Sequence, residues 1–341
     1  ISRYGHDHEA WKQSYTTCPQ ELEPTWLDCP DLPADFPVGT YFRNGHARFD
    51  ANHGKSRVSH MFDGDGMVVA ATFCPQTKRL LFRNRFVQTS GYRQDKARGD
   101  IMSRPGVFGT QVTGGFWNNV GKCFDFKNVA NTHVLYRNQQ LYALWEAGWP
   151  HRLDPLTLET LNIRKEPNGH NLNGLLAPGE FFGAHYRYDA HTGNTCNFGT
   201  NLQALQGQTK MGLFEFDSNM QPVRPDPVSF VFPGAGIAHD FVITKNWNIF
   251  VMPPAHVGKE AAVQAVLGQG ALANVVEFDT DATEATVYLV PRFQHLAPGT
   301  AQEMHVDRES RIKKIKVPYH FNFHFANAYE NEQDGTIVID S

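Results

Sequence analysis

Short apolar runs bounded by Gly, Pro, Asn or Asp recur along most of the chain. Examples are "GTYFRNG" (39–45), "GMVVAATFC" (66–74), "RLLFRNRFVQT" (79–89), "QQLYALWEAG" (139–148), "KMGLFEFD" (210–217), "VSFVFPG" (228–234), "NWNIFVMPP" (246–254), "NVVEFD" (274–279), "ATVYLVP" (285–291) and "GTIVIDS" (335–341). Their β-branched and aromatic content predicts strands, so the chain reads as all-β. The exception is "HVGKEAAVQAVLGQGALA" (256–273), whose Ala, Val and Leu spacing allows a short amphipathic helix or an apolar loop packed as a lid.

A loose repeat underlies the strands. Segments beginning at 130 ("ANTHVLYRNQQLYALWEAG"), 183 ("GAHYRYDAHTGNTCNFGTN") and 237 ("IAHDFVITKNWNIFVMPP") each run polar mouth, strand, turn, strand. Thr132 to His185 is 53 positions and His185 to His239 is 54, near the roughly 40–50 residues of one propeller blade. His239 to His324 is 85, which fits a blade plus an insertion. A β-propeller is the economical reading, with a sandwich as the alternative. In a propeller the innermost strands line one axis, so His185, His239 and His324 would converge, and neutral imidazoles at one point suit a divalent transition metal. Taken singly, a histidine in an apolar strand is more often a satisfied core residue.

Composition narrows the function. Thirty-one basic residues against 35 acidic, with "RIKKIKV" (311–317) as the one basic block, argue against a nucleic-acid partner. No apolar run reaches the roughly 20 residues a membrane-spanning helix needs. Cys18, Cys29, Cys74, Cys123 and Cys196 are odd in number and lack a C-x-x-C pair, which reads as free thiols rather than a disulfide framework or zinc ribbon. No G-x-S-x-G elbow, G-x-G-x-x-G loop or H-E-x-x-H motif is present.

"VGTYFRNG", "SHMFDGDGMV", "KNVANTHV", "LYALWEAGWPHRLDPLTLET", "GAHYRYD", "GIAHDFVIT" and "FHFANAYE", in this order, resemble the signature segments of the carotenoid cleavage oxygenases, from about residue 36 to the end. The resemblance implies a seven-bladed propeller with Fe(II) on its axis held by four histidines, of which His185, His239 and His324 carry over. It further implies that Glu146 is a carboxylate orienting a ligand imidazole, and that Thr132 crowds an open coordination site. The implied reaction adds both atoms of O2 across one C=C bond of a lipophilic polyene, a carotenoid or apocarotenoid. Domain organisation follows as an N-terminal extension, 1–35, and a propeller domain, 36–341.

The resemblance also implies C-terminal blades and a fourth iron ligand beyond a segment like "GTIVIDS". Three explanations stand open: part of a longer polypeptide, completion by a partner chain, or a non-catalytic carotenoid-binding or scaffold subunit of a larger, photosynthetic-membrane assembly. Peripheral membrane contact is expected of an enzyme with lipophilic substrates, the 256–273 segment being the first candidate, and a plastid location is consistent with this class. The remaining polar motifs have plainer readings. "FDGDG" (62–66) reads as a tight turn in which Gly64 and Gly66 allow positive φ, His6 and His8 as solvated terminal residues, and His60 as a fold residue. His46 stands where the family commonly has Pro. Phe182, Phe241, Phe323 and Phe325 flank the candidate ligands, although strand alternation sends neighbours to opposite faces.

Overall fold

The computed structural model describes residue 13 and residues 15–224, 228–293 and 311–341; His6 and His8 lie outside them. Two compact units emerge, one from residues 1–145, 149–170 and 263–273, the other from 146–148, 171–262 and 274–341.

In the first unit, β1 (Leu22–Asp28), β2 (Gly39–Arg48), the short hairpin β3 (Asp50–Ala51) and β4 (Ser56–Arg57), β5 (Asp65–Cys74) and β6 (Arg79–Phe86) precede β7 (His133–Arg137), β8 (Gln140–Leu144) and β9 (His151–Leu153). They form an antiparallel four-stranded sheet ordered β1-β6-β5-β2, the hairpin, and the three-stranded β7-β8-β9. Residues 22–28 form β1, an outer strand of that sheet with Trp26 opposite Leu81. Helix α1 (Ser90–Arg98) was not expected, because it carries no apolar stripe. Its ends are nonetheless written in sequence: the Thr89 hydroxyl accepts from Tyr92 N–H, and Gly99 closes the helix at φ 67°.

The "FDGDG" glycines correct the turn expectation. Gly64 has φ −69°, and neither it nor Gly66 is among the positive-φ residues. They provide room instead: a Cβ on Gly66 would overlap the Ala130 carbonyl oxygen, and one on Gly64 would lie 2.9 Å from the Phe49 ring. Asp63 is buried and accepts from Phe108 N–H, Thr110 N–H and the Thr110 hydroxyl, a structural anchor rather than an ion ligand.

The second unit holds β10 (Arg187–Tyr188), β11 (Thr195–Gln203), β12 (Gln208–Phe216), β13 (Val228–Pro233), β14 (Val242–Ile243), β15 (Trp247–Met252), β16 (Ala255–Val257), β17 (Val276–Phe278), β18 (Glu284–Pro291), β19 (Lys313–Pro318), β20 (Asn327–Glu330) and β21 (Ile337–Asp340). Two four-stranded antiparallel sheets, β10-β11-β12-β13 and β14-β15-β18-β19, stand beside the hairpins β16-β17 and β20-β21. The basic run 311–317 forms most of β19, an edge strand whose lysines discourage further strand pairing. A shared apolar cluster includes Phe198, Phe230, Phe232, Phe241, Phe250 and Tyr288. Alternation explains it: Phe230 and Phe232, two apart, point inward together.

Of the helical candidate 256–273, only Lys259–Val266 is α-helix (α2), with β16 before it and a 3-10 turn at Leu272–Val275 after it. Gly258 and Gly268 bracket the helix, which limits its length.

Candidate metal centre

Each candidate histidine precedes the short first strand of its sheet or hairpin: His185 before β10, His239 before β14 and His324 before β20. Among the described residues β10 and β14 are edge strands and β20 pairs only with β21, so the polar side chains before them are not enclosed within a sheet. That is the physical reason a strand mouth tolerates them.

The second unit brings the three imidazoles together, one ligand nitrogen from each within 4.8 Å of the others. His185 Nε2 and His239 Nε2 are 3.0 Å apart. Two ligands at right angles on one ion with bonds of about 2.1 Å would be separated by about 3.0 Å, so this pair already has a chelating spacing. His324 completes the group, its ring centroid 4.7 Å from that of His185 and 5.0 Å from that of His239. His185 and His239 are half-buried and His324 is exposed, leaving one side of the cluster open.

Glu146, in the turn after β8, belongs to the same unit, and its Oε2 is 2.9 Å from His239 Nδ1. Oε2 is buried without a well-formed hydrogen bond, and the carboxylate faces the nitrogen opposite the chelating one. A carboxylate there favours the tautomer that presents Nε2 as a free lone pair. Phe182 N–H donates to the Gly148 carbonyl oxygen, which fixes the Glu146 turn to the segment leading into His185.

The four flanking phenylalanines divide. Phe182, Phe241 and Phe325 are core residues, whereas Phe323 is exposed and stacks on His239 with centroids 4.0 Å apart and an interplanar angle of 21°. Thr132 lies in the first unit, where its N–H donates to Leu144 and its hydroxyl to Asn131 Oδ1. His60 and His46 also lie in that unit, in an aromatic group with Phe62 and Phe108. Burial, and then His60, lowers the His46 pKa to about 4.

No role was read from the sequence for Asp240, beside His239, or for Arg187, two positions after His185. Asp240 is buried, pairs with Arg187 at 2.6 Å and lies 3.6 Å from His324 Nδ1. The readable signals were the charged neighbours in "HYR" and "HDF".

Residues 15–341 match the family described as retinal pigment epithelial membrane protein (RPE65). The chain belongs to the RPE65/carotenoid cleavage oxygenase family. It is 33% identical to the apocarotenoid-15,15'-oxygenase of Synechocystis sp., an alignment covering 100% of this chain and 63% of that protein. It is also 26% identical to carotenoid cleavage dioxygenase 7, chloroplastic, of Oryza sativa subsp. japonica, covering 88% of this chain and 53% of that one. Among solved structures it is similar to cobalt-substituted Synechocystis ACO, with a TM-score of 0.79 and 31% identity over 97% of this chain and 63% of that chain. The chain therefore spans under two thirds of the length of these relatives. The all-β fold is the one these carotenoid oxygenase structures share, and oxidoreductase, dioxygenase and carotenoid chemistry run through the family. No described helix is long and apolar enough to cross a membrane, which says nothing of strands.

Proposed function

We propose that this chain carries the metal-binding part of a non-haem Fe(II) oxygenase that cleaves a C=C bond of a carotenoid or apocarotenoid with O2. The observation that carries the reading is the convergence of three imidazoles from three separate sheets or hairpins, two of them at chelating distance. The donor set fits the ion: neutral nitrogens leave its full charge, and an exposed side leaves room for other ligands. His185, His239 and His324 would hold it. Fe(II), when bound, supplies the electron density that makes O2 reactive toward an electron-rich polyene, converting one C=C bond into two carbonyls.

The protein's own part is positional. Glu146 holds His239 with its chelating nitrogen unprotonated, and Phe323 offers an apolar face against which a polyene can lie beside the cluster. Residues 36–341 are assigned to part of a seven-bladed propeller. Peripheral membrane contact is assigned to a patch that includes exposed Phe116, Trp117 and Phe124, with Val263, Val266 and Leu267, where Gly121 N–H donates to the Val266 carbonyl. The relative from Oryza is named chloroplastic; a plastid location for this chain is part of the same proposal.

The test is iron content together with O2-dependent loss of apocarotenoid absorbance. Near-stoichiometric iron, bleaching that stops under anaerobic conditions, and loss of both in His239→Ala support the oxygenase. Iron-free protein that binds the apocarotenoid without consuming it would establish the carotenoid-binding subunit instead.

A further inference from the structure

We propose that Arg187 and Asp240 form a positioning clamp that sets the three imidazoles in their common geometry, so that metal affinity depends on an ion pair, its carboxylate buried and its guanidinium half-buried, that touches no metal itself. The inference rests on the metal reading above and concerns different residues.

Every arm of the clamp ends within two residues of a candidate ligand. Arg187 is two positions after His185, Asp240 follows His239, and Phe325 follows His324. The Arg187 guanidinium donates through Nε to the Phe241 carbonyl oxygen at 2.6 Å, and through one terminal nitrogen to Asp240 Oδ2 at 2.6 Å and to the Phe325 carbonyl oxygen at 3.0 Å. Asp240 answers in kind: Oδ1 accepts from Phe241 N–H at 2.8 Å, and Oδ2 accepts from Phe325 N–H at 3.1 Å. The same Oδ2 is 3.6 Å from His324 Nδ1, so the clamp also faces the exposed imidazole directly.

An ion pair serving stability alone has no reason to spend its bonds on the main chain beside His239 and His324 from a residue two positions past His185. Here one fork and one carboxylate tie segments 138 positions apart in sequence, and Phe325 is held through both its N–H and its carbonyl oxygen. The chemistry is specific. Three donor directions from a planar fork are needed on one side, and an anion accepting three hydrogen bonds on the other, which excludes Lys and Asn as equivalents.

The experiment titrates metal-stripped protein with Co2+, followed by its visible d–d absorption and by calorimetry, in wild type, Asp240→Asn, Arg187→Lys and the double variant. Asp240→Asn keeps the shape and removes the charge. The expected result is a Co2+ dissociation constant raised roughly 10- to 100-fold with an altered d–d envelope and an unchanged far-UV spectrum. Arg187→Lys shows the same direction, and the double variant is no worse than the worse single one, since the two side chains act as one unit. Should Asp240→Asn not fold, Arg187→Lys carries the test alone. Folded variants with the wild-type Co2+ constant and envelope overturn the clamp, even if their melting temperature falls. Wild-type protein that takes up no Co2+ overturns the metal reading itself, and the clamp with it.

Discussion

Arg292→Met is expected to destabilise the second unit by about 3 kcal/mol at neutral pH. Arg292 is 1% exposed, and its guanidinium donates to Asp189 Oδ2 at 2.8 Å, Glu215 Oε1 at 3.1 Å and the Thr244 carbonyl oxygen at 3.0 Å. Removing one partner of a buried ion pair costs about 3–5 kcal/mol, because the charge left behind has lost its counter-ion. The lower end applies, since Asp189 keeps the His191 N–H and Glu215 keeps the Asn194 amide. Methionine preserves much of the apolar stem, so lost packing contributes little.

The pH dependence separates charge from volume. Burial raises the Asp189 pKa, but the Arg292 hydrogen bond and the His191 and Thr192 contacts outweigh it and hold the carboxyl below its usual value. The wild type therefore has this stabilisation above the unfolded pKa of about 3.9 and loses it as pH falls through the lower folded value. Without Arg292 that lowering is weakened, so the variant has less of this stabilisation to lose in acid. The deficit is thus full above about pH 3.9 and closes as pH falls below that through the lower folded value. Urea denaturation followed by circular dichroism at pH 7.5 and at about pH 2.5, below the carboxylate range, measures it, with Asp189→Asn/Glu215→Gln as a background in which Arg292→Met should cost less. A loss under about 1 kcal/mol at pH 7.5, or an equal loss at both pH values, refutes the argument.

Three further outcomes are expected. Glu146→Ala should weaken Co2+ binding roughly 10- to 100-fold, read by the same titration, while leaving the fold intact; an unchanged constant would remove the carboxylate from the site. His151 is buried with neither ring nitrogen hydrogen-bonded, and burial, with Arg93 nearby, lowers its pKa to about 4, so the folded state stays neutral where the unfolded chain protonates. Stability from this residue is full above pH 6.5 and about 2 kcal/mol lower at pH 5; His151→Leu should remove that decline, and a variant–wild-type difference constant with pH would exclude it. Trp117→Ser with Phe124→Ser should lower sedimentation with phospholipid vesicles several-fold without changing Co2+ affinity, and undiminished sedimentation would move the membrane contact elsewhere.

The strand mouths were legible because a polar residue opening an apolar run is a local contradiction, and three such contradictions implied a common partner. Spacing near one blade repeat then related His185 to His239, and His324 followed at a blade plus an insertion. Arg187 and Asp240 escaped because their partners are main-chain atoms, and a sequence does not display which carbonyl a guanidinium will meet. Helix α1 escaped for a different reason: "SGYRQDKAR" offers caps but no apolar face, so periodicity is silent while the Thr89 and Gly99 signals are real. The "FDGDG" glycines were read as conformational when they are steric, because the atoms that crowd them, from Ala130 and Phe49, are remote in sequence.

On the proposed metal reading, drawing one nitrogen from each of three sheets or hairpins makes ion retention a reporter on all of them at once. Loosening β10, β14 or β20 alone would release one arm of the chelate before the remaining strands part. Metal content should therefore fall earlier on heating than any signal averaged over the backbone, and core substitutions far from the histidines should register first as leakage of the ion.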